Sequence, residues 1–394
     1  MNSYDDAKLD ILMQDPIAEM RRTATTPEEI EALNYLQDLD LMNGAIDTQG
    51  QPIQADDKKI IRGSSDVNQL IPFKYEWAWQ KYLDASANHW MPQEVSMQKD
   101  ISQWKSEVGS KDGLTEDERM IVMRALGFFA TADSVVMNNL TLAINEWITS
   151  PEHRQYIATQ IKEESIHQHA YQYIIESLGM DQELVFNMYR KVPSMTAKSA
   201  WCIHHTSDVS DRSKFASEDD FDQAMLKNLV SQYVVMEGIF FYCGFASVLS
   251  MGRRNKLPGT CEQFQYILRD ESMHLNFGVD TYNQIRIEQP HLFTAEFNKH
   301  VRMMVISGAL LEIAFARDTA PRGILGYNAL DMEDYLKFIA DRRLEQLGLK
   351  LFFNVKNNPF QWMSEMMDLR KEKNFFETKV IEYQGSGALS WDDF

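Results

Sequence analysis

The chain reads as an all-α protein: a helical bundle with a dinuclear metal site in its core and a flexible C-terminal tail. Three observations predict this. Amphipathic segments of helical spacing, punctuated by short Pro or Gly breaks, run from about residue 63 to 355. Four of these segments carry their own start signals. Those same four hold two copies of Glu-x-x-His, each with a lone carboxylate about one helix length upstream.

In chain order, residues 1–62 form a polar N-terminal extension with turn signals at Asn43-Gly44 and around Thr48 to Pro52. Its first residues, Met1-Asn-Ser-Tyr-Asp-Asp6, lack the basic and apolar regions of a signal peptide. Residues 63–355 form the helical domain. Thr115-Glu-Asp-Glu118 reads as a capping box opening the helix that carries Asp133. Ser150-Pro151-Glu152 opens the helix of the first Glu-x-x-His, since proline suits the first helical turn. Ser217-Glu-Asp-Asp220 starts the helix that carries Glu237, and Leu257-Pro-Gly-Thr260 precedes the second Glu-x-x-His. Residues 356–394 end in glycines, small polar residues and an aromatic terminus, the composition of a mobile tail.

The first motif is Glu164-Ser-Ile-His167, with Asp133 placed 31 residues before Glu164. The second is Glu271-Ser-Met-His274, with Glu237 placed 34 residues before Glu271. Glutamate and histidine three apart stand one turn apart on one helix face, so each pair can converge on a single ion. One such pair alone is weak evidence in a chain with 58 acidic residues and 9 histidines. The apolar setting strengthens it. Glu237 lies within Tyr233-Val-Val-Met-Glu-Gly-Ile-Phe-Phe-Tyr242, and Asp133 follows Gly127-Phe-Phe-Ala-Thr-Ala132. A carboxylate buried there needs a partner. Four carboxylates and two imidazoles suit iron or manganese better than a closed thiolate zinc site. This ligand pattern is that of ferritin-like carboxylate bundles, with Asp133 where glutamate is usual.

Composition narrows the function classes. Apolar residues make up 44% of the 394, enough for a large core. A net charge of −19 argues against nucleic-acid binding. Three cysteines, Cys202, Cys243 and Cys261, without CxxC spacing, fit free thiols in a reducing cytoplasm. The stretch from Met303 to Ala316 reads as the most apolar; it is too short to cross a membrane and contains Glu312. A soluble cytoplasmic protein is expected.

Residues beside the ligands bear on the chemistry. Tyr171 follows His167 by four residues, one turn on along the same face. Phe241, Phe245 and Ile267 stand at helical offsets that turn them toward the ligand layer. A phenol in a dry pocket beside an oxygen-activating metal pair can lose an electron and a proton, and apolar walls would shield the radical. Without the metal motif, the ordinary reading is a core tyrosine hydrogen-bonded to a carboxylate, with the three apolar residues as plain packing, since helix-spaced aromatics are usually core.

Taken together, the Ala132-Asp133-Ser134 segment, Glu163-Glu-Ser-Ile-His-Gln-His-Ala-Tyr171, Met236-Glu-Gly-Ile-Phe-Phe241, Arg269-Asp-Glu-Ser-Met-His274 and the tyrosine-bearing tail resemble the radical-generating small subunit of class I ribonucleotide reductases. The resemblance runs from about Gly63 to the C-terminus. It implies Asp133, Glu164 and His167 as ligands of one metal, and Glu237, Glu271 and His274 as ligands of the other. Tyr171 occupies the position of the family's radical tyrosine. Some relatives carry phenylalanine there and use a manganese–iron centre, so its presence favours two iron ions per chain, with a manganese-containing centre as the alternative. Trp90 resembles the buried tryptophan of the family's radical relay, and Asp270 the acid linking it to the metal-bound histidine. By themselves Trp90 is as much a core anchor and Asp270 a carboxylate supporting a ligand. In the tail, Tyr383 resembles the interfacial redox tyrosine and Glu377 the acid associated with transfer between subunits.

The resemblance also implies a homodimer that passes its oxidising equivalent through the tail to a large catalytic subunit, which reduces ribonucleotides to deoxyribonucleotides. It allows a ferredoxin- or flavodoxin-like electron donor. No Gly-rich phosphate loop of the usual type is present, which leaves nucleotide binding to the partner. A ferritin-like ferroxidase or a ligand-oxidising dimetal oxidase would share the six ligands. Neither needs Tyr171 or the set Trp90, Asp270 and Tyr383.

Overall fold

The computed structural model describes residues 54–63, 73–206, 209 and 212–368. The regular structure among these residues is helical, with a single isolated bridge between Ile324 and Tyr327. The principal helices are α1 (Glu76–Ala87), α2 (Gln98–Lys105), α3 (Glu116–Trp147), α4 (Pro151–Leu178), α5 (Pro193–Thr206), α6 (Glu218–Gly252), α7 (Pro258–Glu288), α8 (Ala295–Thr319), α9 (Ala329–Gln346) and α10 (Gln361–Asp368).

Four of them close a ring. Helix α3 packs on α4, α4 on α7, α7 on α6 and α6 on α3. This is the ferritin-like bundle, and its inward faces carry the candidate ligands. Helices α1 and α2 cover α4 and α7, while α8 and α9 cover the middle of α6. That middle, Val230–Phe240, is wound as a π-helix in which every residue is buried. A π-segment of this kind is commonly found at functional sites. Residues 54–61 join the core through Ile60 and Ile61, both fully buried. On the other side, Phe360 and Met363 seal the bundle beyond residue 356.

The helix starts follow local chemistry in three cases. Thr115 accepts from the Glu118 amide at 3.2 Å while the Glu118 carboxylate accepts from the Thr115 amide at 2.9 Å, a complete capping box. Ser217 accepts from the Asp220 amide at 3.1 Å. Pro151 occupies the first turn of α4. The start of α7 is different. Leu257 stands in the left-handed region (φ 47°) and has no capping side chain. Asp100 of α2 caps α7 instead, accepting from the amides of Gly259 and Thr260 at 2.9 and 2.7 Å.

One expectation is overturned. The longest apolar helices are not the stretch from Met303 to Ala316 but α3 and α6, each long and apolar enough to cross a membrane. Their apolarity belongs to the bundle: the most apolar window of α6 is 100% buried inside the protein, and that of α3 is 56% buried. A helix enclosed by neighbours on every side is apolar all round for the same reason as a membrane span.

Candidate metal centre

Each helix of the ring supplies part of the site. Asp133 comes from α3, Glu164 and His167 from α4, Glu237 from the π-segment of α6, and Glu271 and His274 from α7. All six side chains are fully buried. They form two overlapping groups whose ligand atoms lie within 4.8 Å of one another: Asp133, Glu164, His167 and Glu271, then Glu164, Glu237, Glu271 and His274. Glu164 and Glu271 belong to both groups, an overlap that sequence spacing did not anticipate.

The donor atoms are left for an ion. Both oxygens of Asp133 and of Glu164, Oε2 of Glu237, Oε1 of Glu271 and Nδ1 of His167 have no hydrogen-bond partner in spite of full burial. Orphaned buried carboxylate oxygens are costly, and so many on one spot fit a pair of hard cations. Electrostatics agrees. Burial first, then Glu164 and Glu271, push Asp133 well above the usual carboxylate range. Glu237 is raised by burial and then by Glu271. Burial also works against ionisation of Glu164, but the imidazoles of His167 and His274 close beside it bring it down to about 2. Without cations the cage must retain protons to offset its own charge.

Both histidines point Nδ1 inward: His167 Nδ1 is 3.0 Å from Glu271 Oε1, and His274 Nδ1 is 3.3 Å from Glu164 Oε1. Behind His167, its Nε2 lies 3.1 Å from Asp270 Oδ2. The same oxygen accepts from Trp90 Nε1 at 3.1 Å, and the Trp90 ring stacks at 6.4 Å from the His167 ring. Asn88 donates to the other Asp270 oxygen. The structure therefore brings Trp90, Asp270 and His167 into one hydrogen-bonded line. Glu377 and Tyr383 lie outside the described residues.

Tyr171 is fully buried, with its hydroxyl beside the Asp133 carboxylate. Burial, then the charge of Asp133, raise its phenol well above the ordinary value. The aromatic rings packed on it are Phe129, stacked at 5.3 Å, and Phe264, at 5.9 Å. Phe241 and Phe245 stand behind Phe129, at 5.1 and 5.2 Å from it. Ile267 is buried in the same core. Phe129 could have been found from sequence, since it precedes Asp133 by one helical turn. Two other neighbours of the ligands are not singled out by spacing. Gln160 donates to Glu237 Oε1 at 3.1 Å while accepting from the Tyr233 hydroxyl at 2.8 Å. Glu163 Oε2 lies 2.8 Å from His274 Nε2.

Residues 67–359 match the family model described as ribonucleotide reductase, small chain. This chain belongs to that family. It is 50% identical over 326 residues to the ribonucleoside-diphosphate reductase subunit beta of Chlamydia pneumoniae, covering 83% of this chain and 92% of that one. Against the human ribonucleoside-diphosphate reductase subunit M2 it is 30% identical over 338 residues, covering 85% and 79%. Among solved structures it resembles the ribonucleotide reductase R2 subunit from Clostridium botulinum, with a TM-score of 0.72 at 26% identity, covering 82% of this chain and 97% of that one. A small chain of this family is a subunit of an oxidoreductase; it forms homodimers and pairs with a large subunit.

Proposed function

We propose that this chain is the radical-generating small subunit of a cytoplasmic class I ribonucleoside-diphosphate reductase, with Tyr171 as the radical site. Asp133, Glu164, His167, Glu237, Glu271 and His274 would hold two ions, iron by preference and manganese as the alternative. When bound, the ions supply the activation of dioxygen that draws an electron from Tyr171. The protein's part is containment and direction. Phe129 and Phe264 close over the Tyr171 ring and keep water from it, while Asp133 stands beside the hydroxyl to take up its proton. Asp270 joins His167 to Trp90, a hydrogen-bonded path along which the oxidising equivalent would leave the centre. Beyond Trp90 the route passes to Tyr383, with Glu377 assisting, and on to the large subunit, which binds the ribonucleotide. A ferredoxin- or flavodoxin-like donor would supply the electron needed to assemble the centre.

The observation that carries this reading is the shared Asp270 oxygen, 3.1 Å from both the indole of Trp90 and the imidazole of His167. Iron storage has no use for an oxidisable tryptophan hydrogen-bonded in line with a ligand. The test is electron paramagnetic resonance after adding ferrous iron and oxygen to the metal-free protein, with Tyr171→Phe alongside. A tyrosyl signal in the parent that is missing in the variant is expected. If neither protein gives a signal with two irons bound, the radical role is wrong for iron, and reconstitution with manganese decides between another cofactor and a ferroxidase.

A further inference from the structure

The two metal-binding motifs are longer than Glu-x-x-His. Each begins with a further acid: Glu163-Glu-Ser-Ile-His167 on α4 and Asp270-Glu-Ser-Met-His274 on α7. On a helix, this leading acid and the motif's own histidine are four apart and face the same side, the usual geometry for an intrahelical pair. The hydrogen bonds run the other way. Asp270 bonds His167 of the opposite helix, and Glu163 bonds His274 of the opposite helix. The motifs are cross-braced, each holding the other's ligand.

We propose that Glu163 is the positioning residue of the second metal site, the counterpart of Asp270 in the first. By accepting the Nε2 proton of His274 at 2.8 Å, its carboxylate fixes the tautomer whose Nδ1 lone pair faces Glu164 and Glu271. Glu163 is 2% exposed, so water does not compete for this bond. The two braces differ in rigidity. Asp270 is held by Asn88 and Trp90 in addition to His167. Glu163 has no hydrogen bond on Oε1, so its grip on His274 is its main constraint. Removing Glu163 therefore frees one histidine and leaves the Trp90–Asp270–His167 line untouched.

The inference rests on the dimetal reading of the six ligands, and its test separates the two. The metal-free parent, Glu163→Gln and Glu163→Leu are titrated with manganous ion, counting bound ions and resolving their affinities. The parent should bind two. Glu163→Leu should bind one ion as the parent does and the other about 10- to 100-fold more weakly. Glu163→Gln, which keeps the volume and an accepting oxygen, should fall between them and serves as the folded control if the leucine variant does not fold. Adding Glu163→Leu to His274→Ala should cost nothing further, whereas adding it to Asp270→Asn should weaken both sites. Parental affinity at both sites in Glu163→Gln and Glu163→Leu, or equal weakening of the two, overturns the proposal while leaving the dimetal reading intact. A parent that binds no manganese overturns both.

Discussion

His153, outside the candidate ligand set, should be one source of acid sensitivity. This imidazole is fully buried among Tyr75, Trp77 and Phe277, with ring centroids 5.1, 5.0 and 5.4 Å away. Its Nδ1 lies 2.9 Å from Ser150 Oγ, and its Nε2 has no partner. Burial lowers its pKa to about 3, against the opposing pull of Glu152. In the unfolded chain the same group titrates near 6.5. Below that pH the unfolded state takes up a proton that the folded state refuses, so stability falls as pH drops and the loss levels off near pH 3. The single-site cost is about 1.4 kcal/mol at pH 5.5 and about 2.7 kcal/mol at pH 4.5. Such a loss is a large share of the ~5–15 kcal/mol that holds a typical domain together. The assay is urea unfolding of metal-free parent and His153→Phe between pH 8 and 4.5. Phenylalanine keeps the ring packing and loses the Ser150 bond, an offset that does not vary with pH. The difference between the two proteins should shift by about 2.7 kcal/mol in favour of the variant across that range. Curves that stay parallel would refute the argument, because the remaining titrating groups are common to both.

Three other outcomes follow from the packing and the relay. In Gly244→Ala the added methyl would come within 2.6 Å of Phe129 Cζ, and the ring is wedged against Tyr171; a loss of about 1–3 kcal/mol in urea unfolding is expected, and an unchanged midpoint would show that Phe129 can move. Lys198 and Glu312 form a fully buried ion pair at 2.5 Å, with the ammonium 3.3 Å from the centre of the Phe128 ring. Lys198→Met alone should cost about 3–5 kcal/mol, and the Lys198→Met/Glu312→Leu double variant far less; equal losses would mean that packing, not the stranded charge, sets the penalty. Trp90→Phe should take up metal and form the Tyr171 radical normally but fail in ribonucleotide turnover with the large subunit, as should removal of residues 376–394. Turnover at the parental rate in Trp90→Phe would exclude it from the relay.

What could be read from the chain, and what could not, divides along a physical line. Thr115 and Ser217 announce their helices because a capping bond spans only three residues. The ligand pairs are legible for the same reason: Glu164 with His167, and Glu271 with His274, share a face by helical geometry alone. The cap of α7 is not legible, because its acceptor is Asp100, about 160 residues away in the chain. Nor is the π-winding of Val230–Phe240, whose hydrogen-bond register is chosen by the helices packed around it.

The centre shows the same division most sharply. Residue identity and spacing alone point to an all-α chain with six candidate ligands and a phenol one turn from a histidine. Which candidate ligands belong to both groups, which rings touch Tyr171 and which acid holds which histidine were decided only when four helices met. Helical periodicity would pair Glu163 with His167, four residues on. In the folded protein Asp270 already occupies Nε2 of His167, and Glu163 reaches across to His274. Spacing along a helix limits which side chains share a face, but a hydrogen bond forms with whatever the neighbouring helix presents there.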